Sequence, residues 1–288
     1  MAGFGIKNKG DRGFSADRGL SKIYTELWEL DENRLKPGTH YCINLQGGRY
    51  KTYQCRDQAK DPLFSWVKEE VLRWPTYRTF IKLLDNYETE TGVAEVVTPE
   101  EEQENWAFLN SCMETKVMKK AHQYLVSKGE VPSSEQSFKL KLYELWFKLY
   151  RRTGDTKECD SSGFEHVFVG ETRGEKEVIG FHNWIQFYLQ EKAGHVDYQG
   201  YILGTKPEEG AESHLLTIKF KWKEQVKPIG SSFIGTSPEF ELALYTILYF
   251  CSADRHTDVT IAGQDVVLAC FKMGRHGLGT CHPKLPKD

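Results

Sequence analysis

The apolar residues of this chain change their spacing partway along, and that change limits the folds open to it. Up to about residue 155 they recur every three or four positions, as on the buried stripe of a helix; beyond it they alternate, as on strands with one wet face. Helices first and mainly antiparallel strands afterwards define an α+β chain. The expected division is a helical N-terminal lobe over residues 1–155 and a sheet-bearing α+β lobe over 156–288, meeting in the small, charged loop Thr153 to Gly163. With 288 residues, 39% of them hydrophobic, the chain has ample material for a packed core, and disorder is excluded as a class.

Punctuation sharpens the helical half. Asp61-Pro62 reads as an N-cap and first-turn proline, with Leu63, Val67, Val71 and Trp74 on one face until Pro75 stops the run. Phe80, Leu83, Leu84 and Tyr87 mark a second stretch. Thr98-Pro99 opens a third, with Glu100, Glu101 and Glu102 where acids suit the helix dipole and Trp106, Leu109, Met113, Val117 and Tyr124 as its buried stripe. Ser133 and Gln136 have capping-box spacing ahead of Phe138, Leu142, Leu145, Trp146 and Leu149. In the second half Phe164 to Val169, Val178 to Phe181, Leu216 to Trp222, Val259 to Ile261 and Val266 to Phe271 predict strands, with Gly277 to Pro283 a candidate edge. Helices are predicted from about Asn183 to Lys192 and from Ser237-Pro238-Glu239 onward.

There are 38 basic and 41 acidic side chains, a formal charge of -3, so no global cationic field holds long nucleic acid and any such contact must be local. No run approaches the roughly 18 to 20 apolar residues of a membrane span. The opening MAGFGIKNKGDRGF is too polar for a secretory leader, so an intracellular form in cytoplasm or nucleus is expected, with a secreted form trimmed of its leader the alternative. Seven cysteines, an odd set without a CxxC, read as reduced thiols. Glu100 to Glu104 and Lys119-Lys120 read as solvated helix faces. No heptad or self-complementary stripe specifies an oligomeric state.

Of nine histidines, His40, His122, His195, His214, His256 and His276 sit in polar contexts and read as surface imidazoles. His166 is expected mid-strand, flanked on its own face by Phe164 and Phe168 and so partly desolvated. His182 follows an apolar strand and a glycine at a predicted helix start, where unpaired amides and the dipole disfavour the imidazolium. The pair reads either as a core histidine and a cap histidine, or as an acid and a base on adjacent elements. Lys227-Pro228-Ile229-Gly230-Ser231-Ser232 interrupts a strand pattern: either a loop with a solvated lysine, or amides and a cation converging on an anion. Two imidazoles, an ammonium and a hydroxyl suffice to cleave RNA: one imidazole takes the 2′-OH proton, the other protonates the leaving 5′-oxygen, and the ammonium stabilises the phosphorane. DNA lacks that nucleophile.

Gly163-Phe164-Glu165-His166-Val167-Phe168 with Gly170-Glu171, then Gly180-Phe181-His182-Asn183-Trp184, then Phe233-Ile234-Gly235-Thr236-Ser237-Pro238-Glu239-Phe240, resemble the defining motifs of the EndoU family of uridylate-preferring endoribonucleases. Leu20-Ser21-Lys22-Ile23-Tyr24, Leu27-Trp28 and Asn44-Leu45-Gln46-Gly47 resemble its N-terminal lobe, so the likeness spans roughly residues 19 to 283. The resemblance implies an α+β fold, with a helical lobe preceding a catalytic lobe of antiparallel sheets. It implies cleavage of single-stranded, uridine-containing RNA with a 2′,3′-cyclic phosphate product, and activation by Mn²⁺ or Ca²⁺. His166 and His182 match the catalytic histidines and Lys227 the catalytic lysine. Ser231 matches a hydroxyl residue that reads the uracil edge, and Glu165 and Glu171 match acidic residues linked to activity. Where the family tends to show Thr-x-Tyr-Pro this chain has Thr280-Cys281-His282-Pro283, so Thr280 is retained and His282 offers a smaller, titratable stacking face.

If Glu165 and His166 are strand neighbours they point to opposite faces and cannot jointly chelate an ion, so a hard cation is expected elsewhere, ordering the RNA or the lobes. His182 is expected as base and His166 as acid, or the reverse since an apolar strand also lowers an imidazole's pKa, with Lys227 as the phosphate-stabilising cation and Ser231, Thr280 and His282 recognising the base. An RNA-binding or protein-interaction module with little turnover is a different reading, and a metal-dependent phosphodiesterase cutting DNA and RNA alike a third.

Overall fold

The computed structural model describes residues 13–49, 57–154, 157, 159–174, 176–202, 214–274 and 277–284. The boundary expected at 155–156, the opening twelve residues, Cys55 and His276 lie outside the described residues. The fold is α+β: helices dominate the first half and antiparallel sheets the second, as the change of period predicts.

The N-terminal half contains α1 (Arg18–Leu30), β1 (Tyr41–Ile43), β2 (Gly48–Arg49), β3 (Phe64–Val67), α2 (Pro75–Ile81), α3 (Pro99–Met113), α4 (Lys116–Ser127) and α5 (Glu135–Trp146). Thr98 caps α3 as read, in a full capping box with Glu101. Three readings are corrected. The stretch after Asp61-Pro62 is no helix: Phe64–Val67 pairs with β1, Val71–Arg73 is a single 3-10 turn, and Pro75 begins α2 instead of ending a run. The reason is tertiary, since the amides of Leu63 and Phe64 donate to the Glu191 carboxylate at 2.7 and 3.0 Å. The stripe from Trp106 to Tyr124 is split between α3 and α4, because Thr115 takes extended backbone and accepts from the Met118 amide as a new N-cap. Ser134, one residue later than expected, caps α5.

The second half runs β4 (Glu171–Arg173), β5 (Glu177–Ile179), α6 (Trp184–Lys192), β6 (Val196–Ile202), β7 (Leu215–Trp222), β8 (Gln225–Phe233), α7 (Pro238–Ser252), β9 (Arg255–Ile261), β10 (Gln264–Met273) and β11 (Gly277–Lys284). The sheets have orders β2-β6-β7-β8, β11-β10-β9 and β4-β5, antiparallel except for the parallel pair β2–β6. Lys227 to Ser232 is therefore strand, not loop. Pro228 is tolerated because β8 is the edge of its sheet and a register shift lies opposite. Phe164 to Val169 is likewise not a strand; Glu165–Val169 forms one π-helical turn. All its residues are buried, so alternation there marked no wet face.

Side chains from both halves share one core. Trp146 at the end of α5 donates its indole N–H to Thr246 on α7 at 3.0 Å, and the amide of Asp17 ahead of α1 donates to Asp258 on β9 at 2.8 Å. His214, read as a surface imidazole, is buried beside Trp28. The six described cysteines are free, consistent with reduced thiols.

Candidate active site

The π-helical turn is held by short-range bonds and by space. The Ser162 hydroxyl accepts from the Glu165 amide at 3.1 Å, and the Gly170 amide reaches back five residues to the Glu165 carbonyl at 2.8 Å. Gly170 has φ +94°, and a Cβ there would lie 2.6 Å from the Phe181 side chain. The chain can thus reverse directly after the turn, which brings Glu171 back onto His166 with Nδ1 and Oε2 2.5 Å apart. An ionised carboxylate only accepts, so the proton sits on Nδ1 and Nε2 is left as the acceptor nitrogen. Burial, then Arg152, lowers the His166 pKa to about 4 against the pull of Glu171.

The second histidine is tied to the first through the backbone. The amides of Phe181 and His182 donate to the carbonyls of His166 and Val167 at 2.9 and 2.8 Å. Gly180 makes this possible: its φ is +61°, and a Cβ would sit 1.9 Å from the His166 carbonyl oxygen. His182 Nδ1 donates to the Ser231 carbonyl at 2.9 Å, leaving Nε2 as a free acceptor. Its imidazolium is strongly disfavoured, but chiefly by burial, then by His282 and Lys227. The helix-start explanation is replaced, because Asn183 already caps the Ile185 and Gln186 amides.

β8 and β11 complete the cluster. Lys227 is buried, its stem lies over Gly230, and its ammonium donates to the Val178 carbonyl at 3.4 Å. Burial lowers its pKa to about 8. Ser231 pairs its hydroxyl with Thr217 at 3.0 Å. On β11, the His282 ring stacks on that of His182, centroids 4.3 Å apart and planes within 8°. Thr280 lies two positions earlier and shares that face. Lys227 and His166 are both near enough to oppose charge on His182.

Glu165 and Glu171 are completely buried but differ in state. Neither Glu165 oxygen has a hydrogen-bond partner, and burial followed by Glu171 raises its pKa well above the usual range, so it is held neutral. On Glu171, Oε2 takes both His166 and the Arg152 Nε, at 3.1 Å, and the acid stays ionised despite burial. A neutral acid beside a carboxylate already paired with a guanidinium does not fit a divalent cation. Among the described residues no group of three or more His, Cys, Asp or Glu side chains is arranged to hold one.

Sequence reasoning missed Arg152. Besides Glu171 it reaches the Ser161 hydroxyl and the Gly279 carbonyl, each at 2.9 Å, and so joins the His166 support to the strand bearing Thr280 and His282. It stands next to Arg151 in an unpatterned loop, with nothing in its spacing to single it out.

Two buried, differently partnered imidazoles and an ammonium on an α+β scaffold are groups of the kind that general acid–base transfer at a phosphodiester needs. The family model of Endoribonuclease XendoU matches residues 19–283, and the chain belongs to that family. It is 49% identical over 271 residues to uridylate-specific endoribonuclease B of Danio rerio, covering 93% of this chain and 96% of that one. It is 50% identical over 276 residues to poly(U)-specific endoribonuclease-B of Xenopus laevis, covering 92% and 93%. The solved structure of XendoU, described as a splicing-independent snoRNA processing endoribonuclease, matches with a TM-score of 0.80 at 46% identity, covering 95% of this chain and 98% of that chain.

Proposed function

We propose that this protein is an endoribonuclease that cleaves single-stranded RNA at uridylates by attack of the 2′-OH on the adjacent phosphorus, leaving a 2′,3′-cyclic phosphate. The single observation that carries the chemistry is the contrast in partners: His166 is backed by a carboxylate and His182 by a carbonyl. His182 Nε2 takes the 2′-OH proton as the O–P bond forms. His166, whose protonated form Glu171 supports, gives a proton from Nε2 to the 5′-oxygen as the P–O bond breaks. The anionic phosphate favours uptake of that proton at His166 when RNA enters. Lys227 opposes the charge that grows on the phosphoryl oxygens. Ser231, Thr280 and His282 line the approach of the base.

Arg152, Glu171 and Glu165 act behind the reacting atoms. Mn²⁺ or Ca²⁺ belongs to this proposal only as an activator bound away from Glu165 and Glu171, and no step passes through it. Titrating metal-stripped protein with either ion checks this; activity unaffected by stripping removes it.

The test is a fluorogenic oligoribonucleotide with one uridine. Cleavage by the wild type, blocked by a 2′-deoxyuridine and lowered about 10²- to 10⁴-fold by His182→Ala, is expected. Stoichiometric binding without cleavage would show a binding module instead. Indifference to the 2′-deoxy change would show a phosphodiesterase that does not use the ribose.

A further inference from the structure

His282 stands where the family resemblance leads one to expect a tyrosine, and its ring does not stand apart as a platform for the base. It lies flat against the imidazole of His182 at 4.3 Å. Its Nδ1 is buried without a hydrogen-bond partner. The His182 ring is fixed on its edge by the Ser231 carbonyl and on its face by His282. We infer that His282 is a positioning residue that acts through His182, fixing the ring of the base and competing with it for any proton that enters the stack.

Two rings this close cannot both be cationic, because like charges at such a separation in a buried site repel strongly. The ionisable groups facing them oppose charge, namely Lys227 from β8, His166 from the π-helical turn, Lys284 from β11 itself and His256 from β9, while the Ser231 carbonyl favours it on His182. Burial and the neighbouring cations lower the His282 pKa to about 3, and burial followed by His282 holds His182 well below its ordinary value, so a proton entering the stack is contested between the two rings. While His282 carries the proton, His182 keeps its free Nε2. A phenol or phenyl ring in its place would stack but could not compete, so the base would titrate alone and at higher pH.

The inference rests on His182 being the base, so its test has an arm that needs no catalysis. The variants are His282→Phe and His282→Tyr. The His182 imidazole is followed by ¹⁵N NMR titration in the free protein, and kcat/KM against pH is measured on the single-uridine oligoribonucleotide. Both variants are expected to raise the pH at which His182 takes its proton by about half a unit or more, and to move the acid limb of kcat/KM up by the same amount. An unmoved His182 titration in both variants overturns the inference, as does a loss of uridine-over-cytidine selectivity with the acid limb unchanged, which would make His282 a base contact alone. If His182 shifts but wild-type protein cleaves no RNA, the stack is as inferred and the proposed enzyme is wrong.

Discussion

The imidazoles of His166 and His182 are neutral for the same reason, burial, and the opposite roles proposed for them follow from one hydrogen bond each. Glu171 can support an imidazolium; the Ser231 carbonyl fixes a tautomer without adding a formal charge. Glu171→Gln therefore keeps the contact but removes the charge, and kcat is expected to fall about 10²-fold with KM little changed, as single-turnover and steady-state rates would show. Lys227 is expected to make the other limb of the pH profile. Its pKa of about 8 means that the cation is lost above that pH, so kcat/KM should decline on the alkaline side. Lys227→Arg keeps its charge in that range, so the alkaline decline should vanish while the maximum rate drops through altered geometry. An alkaline limb that survives in this variant would assign the decline to another group.

Elements bring these groups together through close backbone approach. The π-helical turn and the segment Gly180 to His182 are joined by two main-chain hydrogen bonds, and a Cβ at residue 180 has no room. Gly180→Ala is expected to cost more than about 1 kcal/mol, lower the melting temperature and abolish cleavage, because the added methyl displaces the His166 carbonyl to which Phe181 is bonded. Calorimetry and the uridine assay check both effects, and an active variant of wild-type stability would mean that the approach is slack. The motif letters were legible at this scale and the elements carrying them were not. Phe164 to Val169 alternates like a strand, yet lies where every side is covered, and Lys227 to Ser232 carries loop residues that an edge strand with a register shift can accept.

Across the molecule, buried acids make stability depend on pH. Glu241, held by Thr236 at 2.7 Å and facing Asn183 ahead of α6, has its pKa raised by burial from 4.5 to about 8. Its folded value lies above its unfolded one, so the stability it contributes is full below about 4.5 and is lost as pH rises through about 8. Glu241→Gln removes this dependence. The melting temperature of the wild type is expected to fall relative to the variant between pH 5 and 8.5, and parallel curves would refute the assignment.

By itself the sequence determined the α+β class and the caps at Thr98 and Ser237, and it singled out His166, His182, Lys227 and Ser231 as candidates, because local periodicity and motif spacing are written along the chain. It did not determine the breaks at Thr115 and Pro75, the burial of His214, the neutral state of Glu165, the role of Arg152 or the ring stack on His182. Each of those depends on neighbours distant in sequence, and burial and electrostatic pairing exist only once the chain has closed on itself.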